Sequence, residues 1–219
     1  MKILALEFTS PQRSVAVVQG QWERPPERLG EAVETGAVNI FAMISDALQQ
    51  AELEREQIEC LAVGLGPGSY TGIRAAISVA QGWQLARAIK VLGLGSVECL
   101  AWQAKEAGVT GRIQVTIDAQ RNEFYLAGYS LDGDQPLEVE PLRLVSQEQV
   151  REIARAGVAV IATQALPSCP EARILYPRAS VLGRLALGRT DFVPAERLEP
   201  IYLRQTSFVK APPARPIPP

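Results

Sequence analysis

Gly64, Gly66, Gly68 and Gly72 follow directly on the apolar triplet Leu61, Ala62 and Val63. Among them stand the hydroxyls of Ser69, Tyr70 and Thr71, and just beyond lies the guanidinium of Arg74. A strand that runs through a glycine-rich turn into a helix can offer backbone N–H groups and the positive end of the helix dipole to an anion. The same glycines serve equally to let the chain reverse tightly, with no ligand at all. The spacing is not G-x-G-x-x-G, because three residues separate Gly68 from Gly72, and no Gly-Lys-Ser/Thr follows to make a P-loop. Gly64, Gly66, Pro67, Gly68, Ser69, Thr71 and Gly72 are therefore expected to shape a structural loop, with Thr71 as the helix N-cap. No base lies close in sequence to the three hydroxyls, which argues against a nucleophile there. Arg74 could reach an anion or a partner's carboxylate, or stand as a solvated helix-face arginine.

The rest of the chain narrows the chemistry further. Its 219 residues are 47% hydrophobic, enough for one large or two small domains with a proper core. A net charge of −2 argues against this chain alone gripping a nucleic-acid backbone. There is no histidine, which removes Ser-His-Asp and Cys-His catalysis and any histidine metal site. Cys60, Cys99 and Cys169 lie far apart and form no C-x-x-C, as expected of reduced thiols in the cytoplasm. Glu7 interrupts the N-terminal apolar run, so no signal peptide is expected, and no stretch is long enough for a membrane span.

The elements that must position these groups read in order. Residues 2–8 are nearly all apolar, as in a central strand buried on both faces. Ser14 to Val18 returns as a hairpin, and Pro25 and Pro26 mark an edge strand with a mobile tip between Trp22 and Glu34. Ala37 to Ala51 reads as a helix with Ile40, Phe41, Ile44 and Leu48 toward the core. The glycine-rich turn then opens a helix to about Ala88, followed by a strand at Val91, Leu92 and Leu94 and a helix capped by Ser96. A second cycle begins near Arg112. Ile113, Val115 and Ile117 alternate with polar residues, as in a half-buried strand. Return strands at 124–131 and 137–145, a capping box of Ser146 and Gln149, a strand at 158–161 and a helix over 179–187 complete it. The expected fold is thus α/β and duplicated, with residues 1–107 and 108–195 as subdomains. Residues 196–210 form a closing segment that could return to the first subdomain. Residues 211–219, with five prolines, form a flexible tail.

The helix after the glycines has two apolar faces where one is usual. Ile73, Ala76, Ile77, Ala80 and Trp83 make a bulky stripe. Ala75, Val79, Gly82 and Ala86 make a small one, and Val38, Ala42 and Ser45 repeat it on the earlier helix. Side by side the small stripes would form a low apolar platform, a surface monomers usually avoid exposing. Val38, Ala42, Ser45, Arg74, Ala75, Ser78, Val79, Gly82 and Ala86 are the expected partner interface.

Four segments then carry a resemblance. Ile3-Leu-Ala-Leu, Gly66-Pro-Gly-Ser-Tyr-Thr-Gly-Ile-Arg74, Asp118-Ala-Gln-Arg-Asn-Glu-Phe-Tyr125 and Pro200-Ile-Tyr-Leu-Arg204 resemble the TsaB (YeaZ) family. The resemblance implies the duplicated fold shared by actin, sugar kinases and heat-shock chaperones (ASKHA). It also implies a cytoplasmic, non-catalytic subunit that binds TsaD and, with TsaE, supports threonylcarbamoyl transfer to the tRNA adenosine beside the anticodon. The tRNA would be met only through the complex, and the chain alone would pair with itself. No cofactor, metal or membrane is implied. The first strand ends in Glu7 where the family usually has Asp, and Gln120-Arg121 stands where it usually has Arg-Met. In active members of the superfamily two hairpin turns hold nucleotide phosphates, each with an acid and a glycine. Here the turns begin at Glu7 and Asp118 and neither has a glycine, so a Cβ would crowd the phosphate. Glu7 and Asp118 could pair on Mg²⁺ or simply be hydrogen-bonded acids at strand ends. The alternatives are a small nucleotide-dependent phosphotransferase or ATPase, and a glycoprotease-like peptidase. The missing glycines count against the first, and the lack of a nucleophile–base or metal-ligand set against the second.

Overall fold

Ile3, Leu4, Ala5 and Leu6 are fully buried because β1 (Lys2–Glu7) is the middle strand of a sheet covered on both sides. The computed structural model describes residues 1–22 and 24–203; the proline-rich tail and Arg204 of the last motif lie outside the described residues. β2 (Gln12–Gln19) pairs antiparallel with β1, and β3 (Arg28–Thr35) forms the edge beyond it. On the other side β4 (Cys60–Gly64) runs parallel to β1 and β5 (Lys90–Leu94) parallel to β4, giving the order β3-β2-β1-β4-β5. The connecting helices are α1 (Ile40–Gln50), α2 (Tyr70–Ala86) and α3 (Ser96–Glu106).

The second half repeats this plan. β6 (Arg112–Asp118) is central, flanked by β7 (Glu123–Ser130) and β8 (Leu137–Ser146) on one side and by β9 (Ala159–Ala162) and β10 (Arg173–Ile174) on the other. Strand directions match those of the first sheet. α4 (Gln147–Arg155) follows β8 and opens with the expected capping box, in which Ser146 Oγ accepts from Gln149 N–H and Gln149 Oε1 from Ser146 N–H. α5 (Ala179–Leu187) spans the residues its periodicity predicts. Where the first half carries α2, the second has residues 163–172, with a bridge between Leu166 and Cys169 and a turn in which Ala172 N–H donates to Cys169 O.

The inner helices are exchanged between halves. Leu182, Leu185 and Ala186 of α5 pack on Ile3, Ala5, Ala16 and Val18 of the first sheet. Val97, Leu100 and Ala104 of α3 pack on Ile113, Val115 and Ala127 of the second. After α5 the chain follows the first half again, with Val193 N–H donating to Val91 O (2.9 Å) and Ile201 N–H to Leu65 O (2.9 Å).

Three expectations are corrected. β6 is buried on both faces, since Gln114 and Thr116 are as enclosed as Ile113 and Val115, so its alternation of polar residues does not mark a wet face. α1 starts at Ile40, after the Asn39 cap, and buries Met43, Ile44 and Ala47, whereas Phe41 is 72% exposed. Ser96 is the first residue of α3 and not its cap, because its hydroxyl is turned onto Glu7.

Candidate functional site

The glycine-rich turn is pressed against the first hairpin turn. A Cβ on Gly68 would stand 2.1 Å from Thr9 O, and one on Gly72 2.0 Å from Phe8 O. Ser69 N–H donates to that Thr9 carbonyl at 2.7 Å. The same contact fixes where α2 starts. Ser69, not Thr71, is the N-cap, its Oγ accepting from Gly72 N–H at 3.3 Å, and Thr71 stands exposed in the first turn. The Gly66–Pro67 bond is cis. Tyr70 stacks on Tyr202 with ring centroids 5.8 Å apart, and the Arg74 guanidinium lies 4.2 Å from the Tyr70 centroid. Arg74 is thus an exposed cation held on an aromatic stack at the start of α2.

The two acids at the strand ends occupy different settings. Glu7 is fully buried beneath Gly64, where a Cβ would meet its Oε2 at 2.2 Å. Its Oε1 accepts from Thr9 N–H (2.9 Å) and from the Thr9 hydroxyl, and its Oε2 from the Ser96 hydroxyl (3.0 Å). Burial raises its pKa, and the Thr9 and Ser96 hydrogen bonds oppose that rise. Asp118 is half-buried, and its Oδ1 accepts from Gln120 N–H at 2.8 Å. Side chains two apart share a strand face. Glu7 therefore shares the face of Ile3 and Ala5, under α5. Asp118 shares that of Gln114 and Thr116, whose cross-strand neighbours Val160, Ala162 and Leu126 pack with Val150 of α4. The acids thus leave their strands on opposite faces, and each has a protein donor. The cleft between the turns, about 480 Å³, is lined by Thr9, Arg13 and Ser69 on one side and Asp118 and Thr163 on the other. The three thiols are buried, and burial pushes Cys60 up to about 12.

The outer side of the first half carries the larger recess, a groove of about 840 Å³ between α1 and α2. Of the expected interface residues, Ser45, Ser78, Val79, Gly82 and Ala86 line it. Val38 is half-buried against the core, Ala75 half-buried on α2, and Ala42 exposed on α1; none of them lines the groove, nor does Arg74. Phe41, Leu48 and Trp83 do line it, although their helical spacing places them in the core stripes. The sign that could have separated them is the width of the apolar arc on α1. Positions 40, 41, 43, 44, 47 and 48 cover more than one buried face can use. Leu85, 90% exposed, extends the apolar surface beside Gly82. Arg55, Glu56 and Arg87 close one end, where Arg87 donates to Arg55 O (3.4 Å). An added Cβ at Gly82 would meet nothing within 4 Å.

Residues 31–166, more than half of the chain, match the family model described as "TsaD: tRNA N6-adenosine threonylcarbamoyltransferase". The tRNA threonylcarbamoyladenosine biosynthesis protein TsaB of Escherichia coli is 28% identical over 93% of this chain and 95% of its own length. The Haemophilus influenzae protein of the same name is 29% identical over 58% of this chain and 53% of its own. Among solved structures, YeaZ from Pseudomonas aeruginosa superposes with a TM-score of 0.75 at 25% identity, covering 92% of this chain and 99% of that one. A second P. aeruginosa structure, titled as an uncharacterized protein similar to peptidase YeaZ, gives 0.75 at 26% identity, covering 93% and 99%. With its duplicated actin-like architecture and these relatives, the chain belongs to the TsaB/YeaZ family.

Proposed function

We propose that this chain is a non-catalytic subunit in tRNA threonylcarbamoyladenosine biosynthesis, acting by presenting its α1–α2 face to TsaD. The observation that carries this reading is the exposed apolar groove, with Phe41 72% exposed beside small residues that admit a close helix approach. Since the chain itself matches the TsaD family model, a TsaD partner is expected to carry an equivalent helix pair. Two such pairs would bury each other's grooves as a four-helix layer, and Arg87 would favour a partner carboxylate at the rim. In the absence of TsaD a second copy of this chain takes that place. TsaE joins the TsaD complex, and tRNA is met only through the assembly, in keeping with the net charge of −2. The assignment puts the protein in the cytoplasm; among the described residues no helix is long and apolar enough to cross a membrane.

The non-catalytic reading rests on where the polar groups are engaged. Ser69 serves as a helix cap, Thr9 and Ser96 bind the Glu7 carboxylate, and Glu7 and Asp118 face different ways. Calorimetry with Mg-ATP on the isolated chain is expected to show no binding; a dissociation constant below about 10 µM would establish a nucleotide site instead.

Sedimentation of Gly82→Arg tests the interface. The added side chain enters open space and replaces a helix glycine, so stability should rise by about 0.5–1 kcal/mol. Self-association and TsaD binding should both be lost, because the arginine would be buried unpaired. Val79→Arg, which also lines the groove, should act in the same direction. Folded variants that still pair normally would move the interface elsewhere.

A further inference from the structure

A second recess lies on the other face of the first sheet, where α5 packs. The β2–β3 and β7–β8 connections, equivalent loops of the two halves, stand over α3 and α5 and enclose about 440 Å³. That is within the roughly 300–1,000 Å³ typical of small-molecule sites. Trp22 and Trp102 meet there edge to face, with centroids 5.7 Å apart and rings at 83°. Trp22 lies against Gly188, where an added Cβ would come within 2.8 Å of the indole. Val181 and Leu185 of α5 complete an apolar floor. An adjoining recess of about 360 Å³ shares both tryptophans.

The charges around this floor decide what it would hold. Arg184 pairs with Glu106, and Arg189 forms two hydrogen bonds of 2.7 Å with Glu98, so these four charges cancel. Two remain in the larger recess, Arg24 on the β2–β3 wall and Asp134 on the β7–β8 wall. Neither has a hydrogen bond or ion pair with any described residue. An aromatic floor between a cation and an anion that have no partner among the described residues matches a ligand that carries both charges and an apolar body.

We propose that this recess binds a zwitterion of the α-amino-acid class, with its carboxylate on Arg24, its ammonium on Asp134 and its side chain against Trp22 and Trp102. Tryptophan faces also attract the ammonium group. The site is independent of the α1–α2 face and of the role proposed for it.

Calorimetric titration of the full-length chain with L-phenylalanine tests this. Binding is expected near a millimolar dissociation constant, as suits a ligand of about a dozen non-hydrogen atoms. N-acetyl-L-phenylalanine, which lacks the ammonium, and L-phenylalaninamide, which lacks the carboxylate, should each bind about fivefold or more weakly. Arg24→Gln should abolish the difference between phenylalanine and its amide. Asp134→Asn should abolish that between phenylalanine and its N-acetyl form. Both positions are exposed, so neither change endangers the fold. No heat of binding up to about 20 mM, equal binding of the capped compounds, or unchanged discrimination in the two variants would each overturn the proposal.

Discussion

Leu4 and Leu6 on β1 correspond in place to Gln114 and Thr116 on β6. Leu6 faces Val63 in the last β1–β4 pair, and Thr116 faces Ala162 in the last β6–β9 pair. In the first half these positions lie beneath α1 and α2, in a core that includes Phe8, Met43, Ile73 and Ala80. In the second they lie beneath α4 and residues 163–172, and Gln114 Oε1 and Thr116 Oγ1 are buried without a hydrogen-bond partner among the described residues. The topology is duplicated, but the outer layer is not. One half has an all-apolar outer face that supports two helices and the groove between them. The other has a half-polar face and a single helix. The difference teaches that surfaces for partners are set by the layer outside the sheet, which duplication of the sheet leaves free to diverge.

The contrast is sharpest at two glycines, one between β4 and α2 and one between α4 and β9. Gly68→Val should clash with the Thr9 carbonyl and also strain a backbone at φ 150°, costing about 3 kcal/mol or more. Gly157→Ala in the second half, at φ 79° with nothing within 4 Å, should cost only about 1 kcal/mol. Thermal melting of the two variants measures the ratio. A mild Gly68→Val would mean that the first turn is as loosely held as the end of α4.

The acids provide a smaller contrast. Burial raises Glu7 in the fold above its ordinary value of 4.5, so the native state holds this proton more tightly than the unfolded chain. Its contribution to stability is therefore full below pH 4.5 and is lost as pH rises through the raised value. Glu7→Gln removes that dependence, so its melting temperature relative to the parent should climb as pH is raised from 4 toward neutrality. Asp118→Asn should shift melting little, because Asp118 is half-buried and its hydrogen bond from Gln120 N–H can go to an amide oxygen. Parallel curves for Glu7→Gln and the parent would remove the distinction between the two strand ends.

The smallest effect is expected at Thr116. Thr116→Val keeps the shape and deletes a buried hydroxyl that has no partner among the described residues, so it should stabilise by up to about 1 kcal/mol. A destabilised variant would show that the hydroxyl is bonded in solution, and the second outer face would then be better satisfied than its geometry implies.

Much of the fold was legible in local signals. The apolar run at 2–8 gave the central strand, Ser146 with Gln149 gave the start of α4, and the periodicity of 179–187 gave α5 to the residue. What local signals could not give was non-local. The exchange of α3 and α5 depends on which sheet each helix meets, and nothing in either helix names it. Polar residues at 114 and 116 read as a wet face because burial of a polar side chain leaves no mark on the pattern. The two-residue strand β10 is too short to register as a pattern of any kind. At the groove Val79, Gly82 and Ala86 of α2 lie where their spacing put them, whereas Ala75 of the same stripe does not line it. Phe41 and Trp83 were not legible there, because a large apolar side chain at helical spacing reads as core until the neighbouring helix shows how much of it is covered. Ser69 displaced Thr71 as the cap through a contact with Thr9, a residue sixty positions away.

The helix exchange also bears on synthesis at the ribosome. The first sheet is complete once Leu94 has been made, but the helix that covers Ile3, Ala5, Ala16 and Val18 begins only at Ala179. Roughly 85 residues separate the two, which at about 5–20 residues per second leaves one side of that sheet uncovered for roughly 4–17 s. For that interval the nascent chain presents an apolar strand face of the kind that chaperones bind and that aggregates when left alone, so this protein's yield in the cell should depend on translation speed more than its final stability suggests.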